Sequence, residues 1–242
     1  MKSIVRQEYW DNSYENVEFK VAENNSDITN LLDQYISNIK NKSVFEFGCF
    51  PGSYIAYLGK RGAIISGIDL TPRTREMTHW LETNNISIGK IRLGNVITDK
   101  NSDKYDIVCS FGFIEHFEDW KTIIDLHDAK VEKNGIVVIT CPNFLSPLNW
   151  LYHRIFDWEN LDRHNISSMD MYLWEKYLLG KKYDVLFCGN IGSPKYWFDT
   201  NIKNQRINDF RNKVTIFLNN NIKKIKMFEG NKPINAIVAI KK

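Results

Sequence analysis

The stretch Ser43 to Ser53, SVFEFGCFPGS, constrains this chain more than any other. Val44, Phe45, Glu46 and Phe47 read as a short buried strand. It breaks at once into a turn, Gly48 to Gly52, and then a helix opening near Ser53 with Tyr54, Ile55, Tyr57 and Leu58. A second apolar strand, Ala63 to Ile68, ends in Asp69. Glycines at a strand-to-helix turn let a ligand approach the backbone, and an acidic residue at the end of the next strand can hold a ribose. The pairing points to a nucleoside-bearing cofactor.

The glycine spacing narrows the choice. A dinucleotide fingerprint needs G-x-G-x-x-G, so that backbone and helix N-terminus cradle a pyrophosphate. Gly48 and Gly52 give only G-x-x-x-G. Here the sequence resembles the class I S-adenosylmethionine (SAM) methyltransferases, whose first motif is an acidic residue, any residue, then G-x-G-x-G. Glu46, Gly48 and Gly52 match; Phe50 replaces the middle glycine, so its side chain is expected to turn away from the cofactor's methionine portion. Further stretches resemble the family's later motifs in order: Ser66-Gly67-Ile68-Asp69-Leu70, then Ile91 to Val96 with Gly94 and Asn95, then Tyr105 to Phe117 with Glu115-His116. The resemblance is good over Ser43 to Cys141 and loose over Leu161 to Lys242.

It implies an α/β fold: a Rossmann-like, mostly parallel seven-stranded sheet with helices on both faces and its last two strands as an antiparallel hairpin. It implies SAM as cofactor, with Glu46, Gly48, Cys49, Gly52, Asp69, Leu70, Asn95, Val96, Ser110, Phe111 and Gly112 around it. Asp69 would bind the ribose hydroxyls, Asn95 would stand where the family often places an adenine-contacting Asp, and Glu46 would hold the methionine end. Bland readings compete: Glu46 as a structural carboxylate, Asp69 as a helix cap.

Composition sets the bounds. The 242 residues suit one large domain or two small ones, and 43% hydrophobic content is ordinary for a packed core. One methyltransferase domain over 1–242 is expected, with 1–42 an N-terminal helical lid and 142–167 and 190–232 shaping the acceptor pocket. No run of about 18 apolar residues suggests a membrane span, and residues 1–19 lack the apolar core of a secretory signal. The four cysteines are scattered, with no C-x-x-C, so neither a metal site nor a disulfide framework is expected. These features suit a reduced cytoplasm. A net charge of +3 is too mild for a nucleic-acid binder. The basic run Asn221-Ile222-Lys223-Lys224-Ile225-Lys226 reads as a solvated helix face, with a phosphate- or membrane-facing patch as the rival.

Helix signals cover Ser26 to Asn41, Ser53 to Lys60, Arg73 to Thr83 and Trp120 to Val131, alternating with strands. A strand Asn134 to Thr140 follows. A helix is expected at Ser168 to Leu179 with Ser167 or Ser168 as its cap, another within Asn201 to Phe228, and closing strands at Tyr183 to Cys188 and Ile234 to Lys241. On such sheets, ligands sit beyond the carboxyl ends of the strands.

His116 and His164 are the candidate bases; the first could equally be a core histidine. Tyr9, Tyr14, His153, Arg154 and Arg163 are candidate acceptor contacts, and Tyr9, Trp10 and Tyr14 would form an aromatic cover or simply pad the core. His79 and His127 read as structural or exposed. The expected reaction moves a methyl group to oxygen or nitrogen of a small hydrophilic acceptor, with a bacterial saccharide or phosphorylated metabolite as the guess the resemblance suggests. A non-catalytic SAM-binding module and a nicotinamide-dependent oxidoreductase stay open; the oligomeric state is not readable.

Overall fold

Apolar runs without alternation mark strands covered on both faces, and the observed sheet is built on one. A computed structural model describes residues 3–198, 205–222 and 231–242. Two helices come first, α1 (Gln7–Ser13) and α2 (Asp27–Tyr35). The alternating half follows: β1 (Ser43–Phe47), α3 (Ser53–Lys60), β2 (Ile64–Asp69), α4 (Thr74–Thr83), β3 (Ile88–Leu93), β4 (Tyr105–Phe111), α5 (Trp120–Lys130) and β5 (Val131–Pro142). The remainder comprises α6 (Pro147–Phe156), α7 (Trp158–Asp162), α8 (Met171–Gly180), β6 (Tyr183–Ile191), α9 (Gln205–Ile222) and β7 (Ile234–Lys241).

Among the described residues the seven strands form one sheet in the order β3-β2-β1-β4-β5-β7-β6. The first five pair in parallel, and β7 enters antiparallel between β5 and β6. The chain winds outward from β1 to β3, then returns to place β4 on the other side of β1. That reversal opens a crevice at the carboxyl ends of β1 and β4, the usual ligand position on such a sheet.

Period-two alternation divides β1 between two cores. Phe45 and Phe47 face α5 and α8, packing with Ile123, Ile124, Trp174 and Leu178. Val44 faces α2, α3 and α4, packing with Leu31, Ile55, Leu58, Met77 and Leu81. Burying a side chain of this kind contributes about 1.5–3 kcal/mol, so β1 is the common anchor of both layers.

Two helix expectations need correction. The first helix does not reach Asn41. Ser26 caps it through a reciprocal pair with Thr29, but the backbone leaves the helical region at Ile36, which lets Ile36 and Ile39 sink into the α2–α4 core. The helix expected from Ser168 starts at Met171. Its cap is Asp170, whose carboxylate accepts from the N–H groups of Tyr172 and Leu173, while Ser168 lies in a preceding 3-10 turn and donates to the Phe117 carbonyl. Lys223, Lys224 and Lys226 of the basic run lie outside the described residues. No helix among the described residues is long and apolar enough to cross a membrane.

Candidate active site

The crevice is a cleft of about 1160 Å³, above the common range of roughly 300–1,000 Å³ for small-molecule sites. Its floor begins at the turn after β1. Gly48 has φ +66°, and a Cβ there would stand 2.6 Å from the ring of Phe113, which also lines the cleft. Asp69, at the end of β2, turns its carboxylate toward that turn: Oδ2 accepts from Phe50 N–H (3.1 Å) and Oδ1 from Thr71 N–H (2.9 Å). Burial pushes its pKa up, against the pull of these N–H groups. Behind the turn sits Glu46, 4% exposed, with Oε2 lacking any hydrogen-bond partner. Burial, reinforced by the charge of Asp69, raises its pKa well above the usual carboxylate range. Asn95 and Val96, just past β3, complete this end; Asn95 Oδ1 accepts from Ile97 N–H.

The opposite wall grows from β4. Phe111, Gly112 and Phe113 lead into a 3-10 turn, Ile114–His116, that carries His116 to the cleft. His164 arrives from the α7 end, its ring centroid 4.8 Å from that of His116. Each imidazole is oriented the same way. His116 Nδ1 lies 3.1 Å from the Arg163 carbonyl and His164 Nδ1 lies 2.5 Å from the Asn160 carbonyl. A carbonyl can only accept, so Nδ1 carries the proton in each ring and Nε2 holds the lone pair. Burial lowers the His116 pKa to about 3 and the His164 pKa to about 4, so both rings are neutral near pH 7. Beside them is Glu115, 1% exposed, with Oε2 unpartnered and its pKa raised by burial to about 8. One ligand atom of each of Glu115, His116 and His164 lies within 4.8 Å of the others.

The N-terminal segment covers the cleft. Ser3 bridges antiparallel to Phe117, Ile4 N–H donates to the His116 carbonyl (3.0 Å), and Ser3 Oγ donates to the same oxygen. Trp10 meets the His116 ring edge-on at 4.9 Å, and Tyr14 packs on Phe50 at 4.9 Å. Arg73, at the N-terminus of α4, clamps the segment from outside. Its guanidinium donates to the carbonyls of Tyr14, Glu15 and Val17 and lies over the rings of Phe19 and Phe50.

The profile of the family described as "Methyltransferase domain" matches residues 19–177. The chain belongs to this methyltransferase family. Its relatives include a ubiquinone biosynthesis O-methyltransferase from Nitrosomonas europaea, 30% identical over 148 residues, a stretch covering 60% of this chain and 61% of that protein. Another is the protein of that name from Shewanella sp. strain ANA-3, 27% identical over 117 residues, 47% of this chain and 49% of the relative. The match thus spans only about half to three-fifths of these relatives. Among solved structures, an N-methyltransferase from Bradyrhizobium japonicum WM9 in complex with S-adenosyl-L-homocysteine superposes with a TM-score of 0.57 at 12% identity, covering 88% of this chain and 84% of the other. Magnesium protoporphyrin IX methyltransferase from Synechocystis PCC 6803 with bound SAM gives 0.54 at 13%, covering 97% and 90%. These two likenesses concern the fold alone.

The methyltransferase cleft gathers many of the expected residues and leaves others out. Gly48, Asp69, Leu70, Asn95, Val96, Phe111, Gly112, His116 and Tyr14 line it. Asp69 does not cap α4. Cys49 is fully buried beside Gly67, away from the cleft. Gly52 serves packing: with φ +85°, a Cβ there would stand 2.6 Å from Met77 Sδ on α4. Ser110 points to the other face and bonds His127 Nε2 (3.0 Å), which makes both residues structural. His153 is buried against Phe144 and Trp197 and pairs with Asp157 (3.0 Å), while Arg154 is exposed on α6; neither lines the cleft. Tyr9 lies under the Arg163 guanidinium (4.4 Å), outside the lining. Among the described residues the N-terminal cover of the cleft extends to Tyr14, and α2 packs into the core. Residues 142–198 contribute His164 at the border, and α9 packs on α6 through the Arg211–Asp157 ion pair. Sequence reasoning missed Phe113, Arg73 and the ligand-like setting of Glu115. The Glu-His pair was visible as a motif, but nothing in the sequence sets its distance to His164.

Proposed function

We propose that this chain is a SAM-dependent methyltransferase acting on a hydroxyl oxygen of a small acceptor. The observation that carries the reading is one continuous cleft with two chemically different ends: the Gly48 turn and Asp69 at one, the neutral imidazole of His116, with His164 packed against it, at the other. The first end fits the cofactor. Asp69 would hold the ribose hydroxyls, Asn95 and Val96 would flank the base, and the orphaned Glu46 Oε2 would accept from the methionyl ammonium. Bound SAM supplies a methyl group on a cationic sulfonium.

The protein's own contribution is alignment and exclusion of water. Trp10, Tyr14 and residues 4–7 cover the cleft, while Phe113 and Phe117 give its far side an apolar surface. With Nδ1 tied to carbonyls, the Nε2 lone pairs of His116 and His164 can accept the acceptor's hydroxyl proton as oxygen attacks. Glu118 and Asp119 at the acceptor end favour a neutral, hydroxyl-bearing molecule over a phosphorylated one. A sugar hydroxyl and a phenol both meet that description. The names of the relatives lean toward oxygen.

The test has two arms. Calorimetric titration should give SAM binding to the wild type that weakens by about 1.5–3 kcal/mol in Asp69→Asn. A screen of hydroxyl-bearing and amine-bearing small molecules, read as S-adenosylhomocysteine formation, should give turnover with a hydroxyl acceptor. His116→Ala should then lower turnover ~10²-fold or more with SAM affinity preserved. Turnover with amines alone would sink the oxygen assignment. Absence of SAM binding would sink the whole reading.

A further inference from the structure

We infer that Glu115, His116 and His164 form a binding site for a divalent transition-metal cation at the acceptor end of the cleft. The donor set is two imidazoles and one carboxylate with open positions, the arrangement that suits Zn²⁺, Co²⁺, Mn²⁺ or Fe²⁺. One ligand atom of each residue already lies within 4.8 Å of the others. Two ligands at ~2.1 Å from an ion stand no more than ~4.2 Å apart, so a small side-chain contraction completes the set.

Three independent details support the assignment. First, the outer shell is in place. Metal-ligating histidines donate their second N–H to a carbonyl or carboxylate, which fixes the tautomer and aims the other nitrogen at the ion. His116 does this to the Arg163 carbonyl and His164 to the Asn160 carbonyl. Second, Glu115 is buried with Oε2 unpartnered. A buried carboxyl oxygen without a partner is costly, and a bound cation would give it one. Of the groups around the cluster, the Arg163 guanidinium, whose charge is felt at both imidazoles, lies over the Tyr9 ring; Asn165 N–H donates to the Glu115 backbone carbonyl, and Trp10 and Phe144 pack edge-on against the two imidazoles. Third, the cluster borders the cleft, since His116 lines it and a Cβ on the lining residue Gly112 would touch Glu115 Oε1 at 3.4 Å. Remaining coordination positions can therefore face a ligand. Two imidazoles select against Mg²⁺ and Ca²⁺, which prefer all-oxygen sets.

That the cation would sit beside an acceptor rests on the methyl-transfer reading; cation binding itself does not. With the cation bound, both Nε2 lone pairs are taken and the imidazoles no longer act as base; the cation instead lowers the pKa of a chelated hydroxyl, whose proton passes to water. The site predicts an acceptor with two neighbouring oxygen donors, such as a vicinal diol, a catechol or a hydroxy acid, because these can chelate the open positions.

The experiment uses Co²⁺ as probe on the full chain treated with chelator and without SAM. Expected is a single site with visible d–d absorption, competed by Zn²⁺ and not by millimolar Mg²⁺. Glu115→Gln and His164→Ala should each weaken Co²⁺ binding at least tenfold, with His79→Ala as the exposed-histidine control that leaves it unchanged. Circular dichroism and SAM titration of the same variants report folding and the cofactor end separately, so failure of one reading is distinguishable from failure of the other. Should a variant not fold, X-ray absorption of the Zn²⁺-loaded wild type decides: two imidazole nitrogens support the site. Oxygen-only coordination, no saturable binding, or equal affinity in folded Glu115→Gln and His164→Ala overturns it.

Discussion

Asp69 does more than its position at a strand end implied. Its carboxylate ties the first turn to the second strand through Phe50 and Thr71 N–H groups, so it shapes the floor that a ligand would rest on. Asp69→Asn keeps one of the two acceptors and sets its amide NH2 against the other N–H, so it should lose about 1 kcal/mol of stability as well as SAM-induced stabilisation. Asp69→Ala loses both bonds and should be destabilised by a further ~1–3 kcal/mol, read from urea midpoints. Gly48 carries a related lesson. A Cβ there is strained by its positive φ and forces the Phe113 ring to move. Gly48→Ala should therefore cost ~1–3 kcal/mol of stability and weaken SAM binding. Ligand-induced stabilisation equal to wild type would separate the turn from the site. Phe50, where the motif has its middle glycine, is itself part of the cleft lining, and its ring joins Tyr14, Phe19 and the Arg73 guanidinium. The glycine motif was legible because it is contiguous. Cys49, Gly52 and Ser110 neighbour the motif residues in sequence, but strand alternation and helix packing turn them to other contacts.

At the scale of elements, the N-terminal segment is the part that sequence could place only loosely. Aromatics at Tyr9, Trp10 and Tyr14 are equally compatible with a cover and with core padding, because period alone does not say which surface a short helix meets. The deciding interactions are long-range: Ile4 to His116, and Arg73 to the carbonyls of Tyr14, Glu15 and Val17. Arg73→Ala should raise amide hydrogen exchange across residues 7–17 at least tenfold while β4 amides keep their protection. Equal exchange would mean the segment is held by its aromatics alone. Trp10→Ala should raise the KM for SAM about tenfold, a loss of ~1.4 kcal/mol. The later insertions resisted reading for the same reason. Nothing in the order of residues shows that α9 docks on α6 through the buried pair Arg211–Asp157.

The whole molecule was the most legible level, since alternation of apolar strands and capped helices leaves few topologies open to a right-handed parallel sheet. Its edge depends on charge as well as apolar burial. Asp99, just beyond β3, is bonded by Arg92 and by Lys130 on α5. Burial alone would raise its pKa, but those bonds and the Asn101 N–H lower it to about 2. A carboxylate depressed from ~4 to about 2 contributes stability that is complete above pH ~4 and lost as pH falls through about 2. Asp99→Asn should cost about 3 kcal/mol near pH 7, the range for breaking a buried pair. The gap to wild type should narrow as pH drops toward 2; a constant gap in urea midpoints at pH 7 and pH 2.5 would refute the ion-pair account.

The clasp of Ser3 and Ile4 on the His116 carbonyl has a kinetic consequence. It consists of two hydrogen bonds on a segment that adds no strand to the main sheet. At a net ~1 kcal/mol each, releasing these two bonds costs about 2 kcal/mol, so residues 3 and 4 would stand free in a few per cent of molecules at any instant, while Arg73 still holds the segment at Tyr14, Glu15 and Val17 and the seven strands stay intact. Ligand traffic then needs no global loosening. The tempo of the catalytic cycle would be set by how long a spent cofactor waits for the latch to lift, a step on the microsecond-to-millisecond scale of lid motions.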